Sequence, residues 1–421
     1  MSPKAQTSPT AKGARSAVRI GGGQTSGSLD IDAMLADTHT QIIVCCGSGG
    51  VGKTTASAAL ALRAAEQGRK VCVLTIDPAR RLAQSMGLTT LDNVPRPVKD
   101  AGAHGGSLDA MMLDMKRTFD EVVEAHATPE KAEQILSNPF YVALSSSFAG
   151  TQEYMAMEKL GQLHGQSVSA HGQDPAEGDS ARWDLIVVDT PPSRSALDFL
   201  DAPERLSSLL DGRFIKLLLA PTKGPARVFS VGFGILTSAL NKVLGAQVLT
   251  DVQTFVAALD TLFGGFRQRA ERTFALLQAP QTAFIVVATP EPDAMREAAY
   301  FVERLAAESM PLAGLIINRV SVPGATGISG AQAESAADKL ATGNASDKQT
   351  AELLTVHAER FKVQARETRL KKRFTAAHPS VPTLSVPALA SDVHDLDGLR
   401  TIGSLLAGES VLSEQPELKN G

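Results

Sequence analysis

Cysteine is scarce in this sequence: there are three in 421 residues, Cys45, Cys46 and Cys72, each inside an apolar run that reads as a buried strand. That excludes a disulfide framework and a paired-thiolate zinc site, and it fits a reducing compartment. Aromatic residues are also few, at 5%, while glycine and alanine are plentiful, a composition suited to helices packed closely on a sheet. No run approaches the roughly 18 apolar residues that a membrane span needs. Near the N-terminus Lys4, Lys12, Arg15 and Arg19 are followed by no apolar core of signal-peptide length. An excess of positive charge is missing too: the formal net charge is -4, so general attraction for nucleic acid or anionic lipid is not expected.

What is present is an alternation of short apolar runs and helical segments. Ile42 to Cys46 reads as a buried strand, followed by a glycine-rich loop and an Ala-rich helix over Thr54 to Gln67. Lys70 to Ile76 repeats the strand pattern, which makes a βαβ unit and therefore a parallel sheet. Further strands are expected at Ser107 to Asp114, Trp183 to Asp189, Phe284 to Ala288, Leu312 to Asn318 and Thr383 to Val386. Between the second and third of these five, Ala202 to Leu277 has no strand signal and reads as several helices. A late helix from Gln349 to about Phe374 ends in Arg366, Arg369, Lys371, Lys372 and Arg373, a cluster that suits the negative end of the helix dipole and reads as a solvated face.

The chemistry concentrates at Gly47-Ser48-Gly49-Gly50-Val51-Gly52-Lys53-Thr54-Thr55, which fits the phosphate-binding pattern G-x-x-x-x-G-K-[ST] in the required place, after a buried strand and opening a helix. Backbone N–H groups of Gly49, Gly50, Val51 and Gly52 can wrap phosphates, Lys53 can neutralise β and γ oxygens, and Thr54 offers a hydroxyl to Mg²⁺. Thr55 is a candidate α-phosphate contact. Such a loop needs an acid at the end of a second buried strand to hold the metal's water shell. Asp189 is that candidate, with a helix N-cap as the competing role. Asp77 ends another strand on the same rim, either to orient the attacking water or as a plain strand-end cap.

These residues resemble the arsenite-pump and tail-anchored-protein-targeting ATPases, a branch of the dimeric ATPases with a deviant Walker A loop, over most of the chain from about 40 to 408. Gly47 to Thr55 looks like the deviant loop, Asp77-Pro78-Ala79 like the first switch with its catalytic, water-activating Asp, and Asp189-Thr190-Pro191-Pro192-Ser193 like the second. The resemblance implies an adenine contact from Asn318 and a base-bordering loop at Pro387, although either residue could equally be turn punctuation. It implies ATP and Mg²⁺ as ligands, a dimer, a cytoplasmic location with membrane contact only through a partner, and a protein client handled by the helical insertion. It breaks at Ser48, where the family's loop carries a lysine that reaches across the dimer. A serine cannot deliver that charge, and pairing with a paralogue that supplies it follows naturally, within an actinobacterial branch that carries two neighbouring paralogues. The Arg80-Arg81-Leu82-Ala83-Gln84 stretch also departs from the family's first switch.

The expected fold is therefore α/β: a P-loop NTPase with a mostly parallel twisted sheet flanked by helices and an all-helical insertion. Residues 1–38 read as a disordered tail, 39–201 with 279–408 as a discontinuous ATPase domain, and 202–278 as the helical subdomain. Residues 164–182 and 322–347 read as flexible loops, and 409–421 as a second tail. Two functions compete: an ATPase whose cycle rearranges the helical subdomain for a client, and a nucleotide-binding regulatory subunit with weak hydrolysis. An arsenite or anion pump motor is disfavoured because no soft thiolate site is available.

Overall fold

Among the described residues, eight strands, numbered β1 to β8 in chain order, form one sheet in the order β3-β4-β2-β5-β1-β6-β7-β8. The structure, a computed structural model, describes residues 27–76, 81–138, 141–142, 151–169, 182–191, 268–322 and 327–409. The strands are β1 (Ile42–Cys46), β2 (Lys70–Thr75), β3 (Arg96–Pro97), β4 (Ser107–Met112), β5 (Leu185–Asp189), β6 (Thr282–Ala288), β7 (Leu312–Val320) and β8 (Thr383–Pro387). Every pairing is parallel except that of the two-residue β3 with β4. Strands β1, β5 and β6 are buried at every position, which is why they read as unbroken apolar runs rather than as alternating patterns.

Strand β1 lies at the centre, between β5 and β6. The chain leaves it through helix α2 (Lys53–Glu66) to reach β2 on one side, while β6, β7 and β8 build outward on the other. The order reverses at β1, so the carboxyl ends of β1, β5, β7 and β8 gather on one rim, where open α/β sheets place their ligands. Helix α2 is sheathed on all sides, with Ala58, Ala59, Ala61, Ala64 and Ala65 fully buried. Small side chains let it sit close to the sheet and to the C-terminal helix, where a Cβ added to Gly403 would already stand 3.7 Å from the Arg63 side chain.

Several connections differ from expectation. Residues 28–38 are no tail: helix α1 (Ile31–Ala36) is capped by Asp30, and Leu29, Ile31 and Leu35 lie in the core. Each such side chain contributes about 1.5–3 kcal/mol by leaving water, enough to hold a six-residue helix that has no stability of its own. Helix α3 (Arg81–Ser85) follows β2, helices α4 (Met115–His126) and α5 (Pro129–Leu136) follow β4, and α6 (Thr151–Ser169) continues into what was expected to be a loop from 164. Residues 268–277 are helical, as read, while the rest of the expected helical insertion lies outside the described residues. Helix α7 (Pro292–Ala307), absent from the expectations, supplies the crossover that two parallel strands require between β6 and β7.

The expected flexible loop at 322–347 contains helix α8 (Gly330–Leu340) and the start of α9 (Ala345–Ala377). Both open with a capping box, Ser329 with Gln332 and Asn344 with Asp347, which satisfies two orphan donors at each start. Their small, polar composition resembles that of a linker, and the caps decide otherwise. Helix α10 (Leu396–Leu406) follows β8, and beyond it Glu409, expected to open the second tail, pairs with Arg63 at 2.7 Å, while 410–421 lie outside the described residues. Among the described residues no helix is long and apolar enough to cross a membrane.

Candidate functional site

The loop between β1 and α2 is shaped by its glycines. Gly52 takes φ +95°, and a Cβ there would stand 2.3 Å from Asn318 Nδ2, so only glycine admits both the turn and the neighbour. Among the described residues, the N–H groups of Ser48 to Gly52 donate to no protein acceptor. Four of their five carbonyls, in contrast, are engaged: Lys53 Nζ donates to Ser48 O at 2.7 Å, Arg319 Nη1 to Gly50 O at 3.1 Å, Asn318 Nδ2 to Val51 O at 2.9 Å and Ala56 N to Gly52 O at 2.9 Å. Free donors and occupied acceptors at a helix N-terminus make a receptor for an anion.

Beneath the loop, the carboxylate of Asp189 is fully buried at the end of β5. Its Oδ2 accepts from Thr54 Oγ1 at 2.8 Å and Thr75 Oγ1 at 2.9 Å. The parallel register sets this up, because Asp189 stands opposite Cys45 on β1 and Thr75 on β2. The next residue, Thr190, ties the strand end to β1 through Oγ1 to Cys45 O at 2.9 Å. Thr54 and Asp189 are hard oxygen donors of the kind magnesium accepts, and no cluster of three or more His, Cys, Asp or Glu able to hold a metal by itself exists among the described residues. A magnesium ion arriving with phosphates fits such a set, since it keeps most of its shell from water and phosphate oxygens.

Above the loop lies a cleft of about 580 Å³, within the usual range for a small-molecule site. Gly50, Gly52, Thr54, Thr55, Asn318 and Pro387, all singled out from the sequence, line it together. Gly49 is exposed on the loop, Val51 is buried below it, and Lys53 is buried with its ammonium folded onto the loop. Asp77, the expected water-orienting acid, lies outside the described residues. Asn318 is more occupied than an adenine contact would suggest: besides the bond to Val51, its Oδ1 accepts from Arg319 N at 3.0 Å. Gln84, from the stretch that departs from the first switch, and Ala388 and Leu389, from the base-bordering loop, line the cleft as well, while Ser85, Arg319, Ser391, Asp392, Val393 and His394 also line it and went unread in the sequence. Arg319 was legible only as the neighbour of Asn318.

The cysteines are poor ligands. All three are buried. Burial pushes the Cys45 thiol up to about 12 and raises those of Cys46 and Cys72 as well, so none offers a thiolate near neutral pH.

The family model of the anion-transporting ATPases matches residues 40–327, from just before β1 to just beyond β7. Among curated proteins, the "ATPase ASNA1 homolog" of Cryptosporidium parvum is 27% identical over 66% of this chain and 64% of its own length, so the match spans a little less than two thirds of that relative. The "ATPase GET3" of Kluyveromyces lactis is 23% identical over 69% of this chain and 75% of its own. The "ATPase GET3B" of Arabidopsis thaliana is 26% identical over 70% and 67%.

Proposed function

Because the chain belongs to the anion-transporting ATPase family, we propose that it binds Mg-ATP at the cleft above the Gly47 to Thr55 loop and hydrolyses it. The observation that carries the reading is the buried Asp189 carboxylate, held by the hydroxyls of Thr54 and Thr75 directly under a loop whose N–H groups are free. In this reading the loop N–H groups bind the β and γ phosphates, and Lys53 exchanges the Ser48 carbonyl for a phosphate oxygen. Thr54 and, through water, Asp189 hold the magnesium ion, which when bound offsets the negative charge of the phosphates. Asp77 orients the attacking water. Asn318 and Pro387 border the base, with Asn318 also bracing the loop.

Phosphate release by the purified chain in Mg-ATP tests this. Lys53→Ala and Asp189→Ala should each lower turnover by about a hundredfold or more. Undiminished turnover in both variants, or no calorimetric binding of Mg-ATP by the wild type, would refute it.

The coupled output is part of the proposal: a nucleotide-dependent change in segment 202–278, read from its sequence as helical, that takes up or releases a protein client, in a cytoplasmic dimer. Family membership and the apolar content of that segment support it. Fluorescence of an apolar-surface dye should differ between ATP and ADP, and identical signals would sink the idea. Ser48 favours a second reading, a regulatory subunit that hydrolyses slowly until a paralogue supplies the missing charge. Fast turnover by the isolated chain that Asp77→Asn abolishes would eliminate it. A metalloid-pump motor is disfavoured by the three buried, protonated cysteines.

A further inference from the structure

Strand β7 does not finish as a regular strand. Against β8, Ile317 stands opposite Ser385 but Val320 opposite Pro387, so three steps along β7 face two along β8. The extra residue makes a bulge at Asn318 and Arg319, and Arg319 takes φ +58°, a left-handed conformation uncommon outside Gly, Asn and Asp. Consecutive residues of a regular strand point to opposite faces. Here they do not: Asn318 reaches Val51 O and Arg319 reaches Gly50 O, neighbouring carbonyls of one loop. The bulge cancels the alternation and turns both side chains onto the phosphate-binding loop.

Arg319 then sits as a cation on the cleft wall beside Thr54 and Thr55. Its guanidinium has five N–H donors, and the bond to Gly50 O is its one side-chain hydrogen bond among the described residues. No carboxylate of the described residues forms an ion pair with it, although Asp392 lines the same cleft. The loop itself carries one cation, Lys53, because position 48 is an uncharged serine whose Oγ is buried without a hydrogen-bond partner among the described residues.

We propose that Arg319 is a phosphate-contacting residue of the nucleotide cleft. Its remaining donors bind the phosphate chain of the nucleoside triphosphate, and the bulge supplies from within this chain a positive charge at the loop where Ser48 has none. The inference rests on the nucleotide-site reading above and deepens it.

Calorimetric binding of Mg-ATP at several salt concentrations tests it on the full chain, with the wild type, Arg319→Ala, Arg319→Lys and Lys53→Ala compared. Arg319→Ala should weaken binding about tenfold to a hundredfold, the range of one charge-assisted hydrogen bond, and flatten the dependence of affinity on salt. Arg319→Lys should regain part of the affinity and the wild-type salt slope. Thermal unfolding without nucleotide checks that the alanine variant is folded. Binding by Arg319→Ala within twofold of wild type would overturn the proposal. So would equal weakening in the alanine and lysine variants with an unchanged salt slope, the signature of a loop brace alone. Should the wild type fail to bind Mg-ATP, both readings fall. Should it bind, with Lys53→Ala weakened and Arg319→Ala unaffected, only the role of Arg319 is lost.

Discussion

The approach of Asn318 to the phosphate-binding loop can be measured with two alanines. Gly50 and Gly52 both hold positive φ, +76° and +95°, so Gly50→Ala and Gly52→Ala share a backbone penalty of about 1–2 kcal/mol. They differ in what the new methyl group meets. At position 50 nothing lies within 4 Å, whereas at position 52 the Cβ would stand 2.3 Å from Asn318 Nδ2. Asn318 must then rotate away and give up two hydrogen bonds, to Val51 O and from Arg319 N, each contributing about 0.5–1.5 kcal/mol. Gly52→Ala should therefore cost about 2–5 kcal/mol in urea unfolding, against about 1–2 for Gly50→Ala. In an Asn318→Ala background the obstacle is gone and the extra cost should vanish, a coupling of about 1–3 kcal/mol in a double-mutant cycle. If Gly52→Ala costs no more than Gly50→Ala, or the same with and without Asn318, the contact does not shape the loop and the reasoning fails.

Three more outcomes follow from buried groups. Thr75→Val keeps the shape of a residue that is 1% exposed but removes a hydroxyl donor to Asp189; it should lower unfolding stability by about 1.5–3 kcal/mol, and an unchanged urea midpoint would contradict that. Burial lowers the pKa of His164 below its ordinary 6.5, so the folded state resists a proton that the unfolded state accepts. Stability should therefore fall as pH drops through 6.5, and His164→Gln should flatten that slope in melting temperatures taken between pH 8 and pH 5. The three cysteines should resist iodoacetamide in the folded protein and react once it is unfolded, followed by mass spectrometry; rapid native labelling would show that a thiol is open to ligands.

The centre of the sheet was legible from sequence because strands buried on both faces are written as continuous apolar runs, and because the loop motif fixes where one of them ends. Asp189 followed from the same logic: an acid closing such a run is conspicuous. The rim was harder. Helix α1 has too few turns to show periodicity, and its helical state depends on Leu29, Ile31 and Leu35 finding the core. The body of α9 was legible as a helix from Gln349. Helix α8 and the first turn of α9 hide behind alanine, serine and charge, yet the S-x-x-Q and N-x-x-D caps before them were there to be read. Arg319 was beyond reach of any pattern, since its direction is set by a bulge in the pairing of β7 with β8 and not by its neighbours in sequence.

The two borders of the sheet are both blunted. On one side the outermost strand is β3, two residues long, antiparallel and carrying Pro97, which lacks an N–H. On the other, β8 is met by the N-terminal segment: Ser28 bridges to Thr383, and Thr383 N donates to Gly27 O at 3.0 Å. Long open strand borders invite pairing with another chain, and short, proline-bearing or covered ones discourage it. A second subunit is thereby steered away from adding its own strands to this sheet. Any assembly that forms should be built through helices and loops, the parts of the molecule that can shift without breaking the ladder that holds Asp189 in place.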